Sequence, residues 1–430
     1  MKIKITEKEY SEVLSIKRTH SIKPAIQKPF FRKLMATLSK PECNAVNFTY
    51  TESDMDKLGK DDPALYLMNH SSFTDLQICA QLLKNRQYHI VTTNDGFVGK
   101  PNLMKALGCI PTKKFIADPT LVKDMKYCVD KLNSSILMFP EASYTFDGTT
   151  TKLPTSIGKC IKLLKIPVVI IKTHGAFLRD PLYNNLQKRK ANVYSEISYL
   201  LSPEDINQLS VDEINKLVFQ SFEYNHFEEQ IENNILISEE FRADGLERVL
   251  YKCPHCNTEG YMQGIGTTIR CSHCNTTYTL NENGTLDIVP NLKNNDEPSP
   301  KPIWRTIPDW YNWERECVKN ELSSGNYSFE LDVEICVLLD YKSVYKVGTG
   351  HLSHNYDGWK LTGCNGQIDF SLPAKASYNL YADYYWYEIG DMISIGDWKC
   401  QYYCFPQKKE ELLVAKARLA TEELYKLKTT

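Results

Sequence analysis

The chain has 430 residues, is 42% hydrophobic and 24% charged, and carries a formal net charge of −2. That length exceeds one ordinary domain and supports a large core, while the near-neutral charge gives no global footprint for nucleic acid. The start, MKIKITEKEYSEV, has no apolar leader core and no apolar run is long enough to span a bilayer. The expectation is a cytoplasmic protein that meets any membrane peripherally, from the water side.

Residues 1–44 read as an N-terminal helical segment. Lys17, Arg18, Lys23, Lys28, Arg32 and Lys33 stand beside Phe30, Phe31, Leu34 and Met35. This basic amphipathic pattern fits an anionic membrane surface, and equally a helix packed on the next domain. Over 45–248, short apolar runs at 64–68, 89–92, 136–139, 167–171 and 193–200 alternate with helical stretches such as 76–84 and 120–132. Buried strands separated by helices predict an α/β domain with a mainly parallel sheet flanked by helices. Ser202-Pro203-Glu204-Asp205 has proline and acids where a helix begins, opening an acidic, helical and solvated stretch over 203–247.

Four of the 14 cysteines form two pairs, Cys253/Cys256 and Cys271/Cys274, in a segment spanning 249–290. Two Cys-x2-Cys knuckles predict a zinc ribbon with a closed, structural Zn2+ site; a redox pair is disfavoured by the duplication. His255 and His273 are then bystanders. The other cysteines sit singly and read as reduced. Residues 291–302 are polar and proline-rich, as in a linker. Over 303–430 tyrosine and tryptophan become dense. Alternation at 328–339 and 378–387 predicts antiparallel strands, and 407–428 a helix with Leu412, Leu413, Ala415 and Leu419 on one stripe. This predicts a β-rich domain, barrel or sandwich, ending in a helix.

The chemistry sits in four blocks of the α/β domain. Asn69-His70-Ser71-Ser72-Phe73-Thr74-Asp75 follows the strand ALYLM, at the carboxyl end where open α/β sheets hold ligands. With a helix starting near Thr74, Asp75 folds back on His70, fixing its tautomer and freeing the other nitrogen to take a proton. Taken alone, Asp75 is equally an acid at a helix start. The second block, Phe139-Pro140-Glu141-Ala142-Ser143-Tyr144, follows the strand SILMF and suits a polar substrate, or is simply a turn set by Pro140. The third, Gly108-Cys109-Ile110-Pro111-Thr112-Lys113-Lys114, offers two cations for an anion or to solvent. The fourth runs from Ile166 to Gly175 and holds His174, which lacks a nearby carboxylate before Asp180.

In order and spacing these blocks resemble the glycerolipid acyltransferase family, whose first motif is Asn-His-x4-Asp (Asn69, His70, Asp75) and whose third begins Phe-Pro-Glu-Gly (Phe139, Pro140, Glu141). The resemblance covers about residues 45–220. It implies that His70 deprotonates an acceptor hydroxyl, which attacks the thioester of acyl-CoA or acyl carrier protein. Asp75 supports His70, and Glu141 helps hold the acceptor head group. Asn69, Lys113, Lys114, Ser143 and Tyr144 complete the expected substrate-binding set. The implied acceptor is a lysophospholipid or glycerol-phosphate lipid, met at a membrane surface. Two departures bear on it: in the third motif Ala142 replaces the glycine and Tyr144 stands where relatives carry an arginine associated with the acceptor phosphate, and the second motif has Pro111-Thr112-Lys113-Lys114 in place of the relatives' Phe-Ile-x-Arg, with Lys113 or Lys114 left to supply a charge. Tyrosine offers no bidentate charge, which points toward a larger lysophospholipid or another lipid alcohol. A non-catalytic adaptor using the ribbon and C-terminal domain is the alternative, and intact His70, Asp75 and Glu141 weigh against it. A lipid hydrolase is disfavoured by the missing Gly-x-Ser-x-Gly elbow.

Overall fold

A computed structural model describes residues 3–19, 22–289, 304–408 and 413–429. The expected linker at 291–302 lies outside them. Strand β1 (Ile5–Glu7) does not belong to the front of the molecule. It pairs in parallel with a strand of the C-terminal sheet, Ile5 opposite Val344. The N-terminal segment is therefore a strand followed by helices Tyr10–Leu14 and Pro29–Ala45, rather than helical throughout.

The front sheet comprises β2 (Thr49–Ser53), β3 (Leu65–Met68), β4 (Tyr88–Thr93), β5 (Cys109–Thr112), β6 (Ser135–Met138), β7 (Val168–His174) and β8 (Tyr194–Leu201). Their order is β2-β8-β7-β3-β6-β4-β5, and every neighbouring pair is parallel except β7/β8. β3 shows why the run is apolar without alternation. Leu65 and Leu67 enter one core with Met125, Ile161 and Val218 from three helices, while Tyr66 and Met68 enter another with Ile78 and Cys79. Both faces are covered, so every side chain of the strand is buried, and Leu65, Leu67 and Met68 each contribute about 1.5–3 kcal/mol.

The acidic stretch after β8 supplies helices Pro203–Gln208, Val211–Ser221 and His226–Glu232, the first two opened by capping boxes at Ser202 and Ser210. It is less solvated than its composition suggests. Glu204, Asp205, Asp212 and Glu213 face water, but Ile206, Ile214, Val218, Phe222, Phe227 and Ile237 are buried.

The ribbon carries β9 (Met262–Ile265), β10 (Thr268–Cys271), β11 (Thr277–Leu280) and β12 (Leu286–Ile288), an antiparallel sheet in the order β12-β11-β10-β9. After the helix Ile307–Ser324 come β13 (Phe329–Val337), β14 (Val344–Asn355), β15 (Gly358–Gly363), β16 (Ile368–Pro373), β17 (Tyr381–Trp386), β18 (Gly390–Gly396) and β19 (Gln401–Pro406). These run antiparallel in the order β16-β15-β14-β13-β19-β18-β17, and the chain closes with the helix Val414–Thr429. One continuous core joins the parts: Phe146, Phe177 and Phe227 from the front, Tyr251 and Tyr278 from the ribbon, and Ile335, Tyr384 and Leu419 from the C-terminal domain.

Candidate active site

The chain leaves β3 at the carboxyl edge of the sheet through Asn69. Its Nδ2 donates to the Thr173 carbonyl (2.9 Å) and its Oδ1 accepts from the Thr173 amide (2.7 Å), extending the pairing with β7 by a side chain. Asn69 is fully buried and its amide is spent on the backbone. Asp75 sits in the first turn of the helix Thr74–Leu82. Its Oδ2 accepts from the amides of Ser71 (2.7 Å) and Ser72 (3.0 Å) and lies 3.1 Å from His70 Nδ1. A carboxylate oxygen facing Nδ1 selects the tautomer with the proton there, leaving the lone pair on Nε2. Among the described residues Nε2 has no hydrogen-bond partner, and the His70 side chain is 16% exposed.

The ring is held between Phe139 (centroids 4.1 Å apart) and Tyr144 (4.3 Å). Burial lowers the His70 pKa below its ordinary 6.5, the bond to Asp75 works against that, and the Lys114 ammonium adds to the lowering. At neutral pH the ring is neutral and able to accept a proton.

Glu141 lies beneath this pair and is fully buried. Its Oε1 accepts from the His70 amide (3.1 Å), its Oε2 from the Thr151 amide (2.8 Å), and the Tyr224 hydroxyl donates to both (3.1 Å). Burial pushes its carboxyl up to about 7, against the pull of those donors. Ala142 has φ of 58°, a left-handed conformation that glycine adopts freely and alanine does not. The backbone thus keeps the shape of the glycine motif although the residue has changed.

Lys114 is the cation whose charge acts on the ring. Its ammonium stands 4.4 Å over the Tyr381 ring of β17, and the Tyr381 hydroxyl donates to Asp95 Oδ2 (2.7 Å), as does Trp386 Nε1 (3.1 Å). Lys113 turns away and donates to the Trp398 carbonyl (2.5 Å). Ser143 is buried with its hydroxyl unpaired among the described residues. His174 bonds Glu229 (2.7 Å) and stacks on Tyr194, apart from His70.

Sequence reading missed several contributors because their partners are distant in the chain. His226 Nε2 meets Ser71 Oγ at 3.1 Å and its Nδ1 lies 3.6 Å from Glu229, but Ser71 and His226 are sealed from solvent. This is a buried buttress, not a nucleophile open to substrate. An arginine also reaches the Glu141 block, from the C-terminal helix. Arg418 donates to the Tyr144 carbonyl (3.4 Å) and Thr151 Oγ1 (3.3 Å), stacks over Phe146 (4.2 Å), and is neutralised by Glu422 (3.2 Å). No local pattern in 413–429 marks it.

The four ribbon cysteines converge. Cys253 and Cys274 Sγ are 3.7 Å apart, as are Cys256 and Cys271, and all four ligand atoms lie within 4.8 Å of one another. A tetrahedral ion with bonds of about 2.3 Å sets its sulfurs about 3.8 Å apart, so the cluster fits a metal ion. Each knuckle closes identically, the Asn257 amide on the Cys253 carbonyl and the Asn275 amide on that of Cys271 (both 2.8 Å), with both asparagines left-handed. Lys252 and Lys416, each bonded to Glu259 and Glu321, tie the ribbon to both C-terminal-half helices.

A parallel-sheet domain with a His–Asp pair at its carboxyl edge is the setting in which the comparisons fall. Residues 49–172, which carry this edge, match the family model described as Acyltransferase. One similar solved structure is the 1-acyl-sn-glycerophosphate (LPA) acyltransferase PlsC from Thermotoga maritima, at 16% identity and a TM-score of 0.36, covering 44% of this chain and 76% of that one. No curated protein matches the chain.

Proposed function

We propose that the protein transfers a fatty acyl group from a thioester donor, acyl-CoA or acyl carrier protein, to a hydroxyl of a lysophospholipid or related lipid alcohol. The observation that carries this reading is His70. Its Nδ1 is committed to Asp75, its Nε2 is unpaired, and its ring reaches solvent at the carboxyl edge of an acyltransferase-type sheet. Nε2 takes the proton of the acceptor hydroxyl, and the resulting oxygen attacks the thioester carbonyl. The thiolate leaves and takes up a proton, and Asp75 stabilises the imidazolium in between. Glu141 acts at one remove, fixing the His70 backbone and the turn that carries Ser143 and Tyr144. Lys114 supplies the positive charge beside the acceptor, and Asn69 the rigidity of the strand end.

The acceptor is met at a membrane surface in this reading. Phe30 and Leu38, 67% and 65% exposed, share one face of the helix Pro29–Ala45 with Leu34, beside Lys33 and Lys40. Among the described residues no helix is long and apolar enough to cross a membrane. The ion in the ribbon is proposed to be Zn2+; four thiolates close its shell, and it braces the fold without doing chemistry.

The test is acyl transfer from labelled acyl-CoA and acyl carrier protein to a panel of lysolipids by the full chain. Transfer to at least one acceptor is expected. None, with folded and metal-loaded protein, would refute the proposal. One Zn2+ per chain is expected by elemental analysis, and a zinc content near zero would remove the ribbon assignment.

A further inference from the structure

The C-terminal sheet stops short of closing on itself. Leu372 from one edge strand, β16, and Tyr381 from the other, β17, line the same cavity of about 310 Å³. The helix Val414–Thr429 supplies Thr421 to its wall, and the turn after β5 supplies Lys114, Phe115 and Ile116. Ser394 stands opposite Tyr381 on the neighbouring strand, so the two side chains share one face of the sheet. Phe115, Ile116 and Leu372 are only partly buried and form an apolar mouth.

Three buried side chains of this cavity carry polar atoms with no partner. Asn379 turns its Oδ1 to the Leu380 amide (2.7 Å), which leaves its Nδ2 without an acceptor among the described residues. Ser394 Oγ and Gln401 Oε1 are unpaired in the same way. Each such atom costs about 1–3 kcal/mol, and three around one cavity mark a place for a ligand. The neighbouring hydroxyls are spent. Ser377 donates to the Phe115 carbonyl (3.4 Å), and Thr421 accepts from Trp359 Nε1 (3.1 Å) and donates to the Ala417 carbonyl (2.9 Å). The Lys114 ammonium lies over the Tyr381 ring with no hydrogen-bond acceptor among the described residues, and Asp383 and Asp95 balance its charge at longer range.

The free groups choose the ligand. Lys114 and Asn379 donate, Gln401 accepts, and Ser394 does either. An ionised phosphate only accepts, and would set its oxygens against Gln401 Oε1. A quaternary ammonium head would meet the Lys114 charge. A sugar-type ring offers hydroxyls that both donate and accept, and Tyr144 in place of a phosphate-gripping arginine agrees with a head group read without charge. The last helix joins the cavity to the active site. Arg418 donates to the Tyr144 carbonyl (3.4 Å), Tyr144 packs on the His70 ring, and Thr421 lies about one helical turn beyond Arg418.

We propose that this cavity in the C-terminal domain reads the acceptor, and that the acceptor is a lipid with a neutral polyhydroxyl head of the sugar type. The proposal rests on the acyl-transfer reading above and narrows its lipid alcohol. One hydroxyl of the acceptor reaches His70 Nε2 while others pair with Asn379, Ser394 and Gln401.

The experiment titrates the full chain by calorimetry with hexyl glucoside, galactoside and mannoside, with hexyl phosphate and hexyl phosphocholine, and with free glucose. It is repeated on S394A/Q401M, with melting temperatures alongside. Saturable binding of at least one hexoside is expected, tighter than either phosphorus head group and tighter than free glucose. The double variant should lose about tenfold or more in affinity, yet melt at or above the wild-type temperature, because the atoms it removes had no partner. In turnover, the preference in kcat/KM for a glycosyl monoacylglycerol over lysophosphatidic acid should fall about tenfold in the variant. No hexoside binding, binding indifferent to the double substitution, or tighter binding of hexyl phosphate would overturn the site. A lowered melting temperature would make the two side chains structural, and free glucose bound as tightly as the hexosides would remove the lipid; either result defeats the proposal. The two readings fail separately. Hexoside binding without acyl transfer to any acceptor leaves the cavity standing and removes the activity. Transfer with no preference for sugar-headed acceptors leaves the activity and removes the assignment of the cavity.

Discussion

Replacing Glu141 by glutamine separates two effects that the buried carboxyl combines. The first is independent of pH. Where Oε2 now accepts from the Thr151 amide at 2.8 Å, glutamine presents an NH2 group, and two donors face each other in a buried site. That mismatch costs about 1–3 kcal/mol. The second depends on pH. Burial holds the Glu141 carboxyl at about 7 against an ordinary 4.5. A pKa raised on folding contributes stability that is fully present below the unfolded value and is lost as pH rises through the folded one. Between pH 4.5 and 8 the wild type therefore loses about 3 kcal/mol from this group, and the glutamine variant does not. Asp180 and Asp383, also pushed up to about 7 by burial, are present in both proteins and cancel in the difference. Urea unfolding of both proteins across that range should find E141Q the less stable at pH 4.5, with the gap closing or inverting by pH 8. A gap that stays constant, or widens with pH, would refute the picture of a carboxyl held up by burial beneath His70.

Two further outcomes follow from the same geometry. K114M removes a cation that lowers the His70 pKa, so the acidic limb of the kcat/KM profile should move to higher pH; an unmoved limb, or one displaced to lower pH, would separate Lys114 from the ring. A142G relieves the left-handed strain at φ 58°, and should raise stability by up to about 1 kcal/mol in urea unfolding without loss of turnover; a destabilised variant would contradict the assigned conformation.

The core strands were legible because burial on both faces leaves an unbroken apolar run: the expected 64–68, 89–92 and 136–139 appear as β3, β4 and β6 within one residue at each end. The edge strand β2, TYTES, was not, since all five residues are exposed and nothing in their pattern marks a strand. β5, CIPT, was hidden by Pro111, a residue that argues against a strand interior. The direction of β8 could not be read either, because alternation reports a strand and not its partner. At the site, Asn69, His70 and Asp75 were visible as a local spacing, and the bond between the last two needs only the turn at Ser71–Ser72. Tyr224, His226, Arg418 and Tyr381 were invisible for the opposite reason. Each reaches the site across a long separation, through a core that joins three sequence regions. The cysteine clustering was legible from spacing, since four soft ligands in two knuckles have few other arrangements.

The imidazole of His70 is the base on which acyl transfer depends in this chemistry. The most direct measurement is single-turnover acyl transfer by H70A beside the wild type, at saturating donor and with the fold checked by its melting temperature. A loss of about 10²–10⁴-fold in the transfer rate is expected, with donor affinity unchanged. A rate within a few fold of wild type would contradict it.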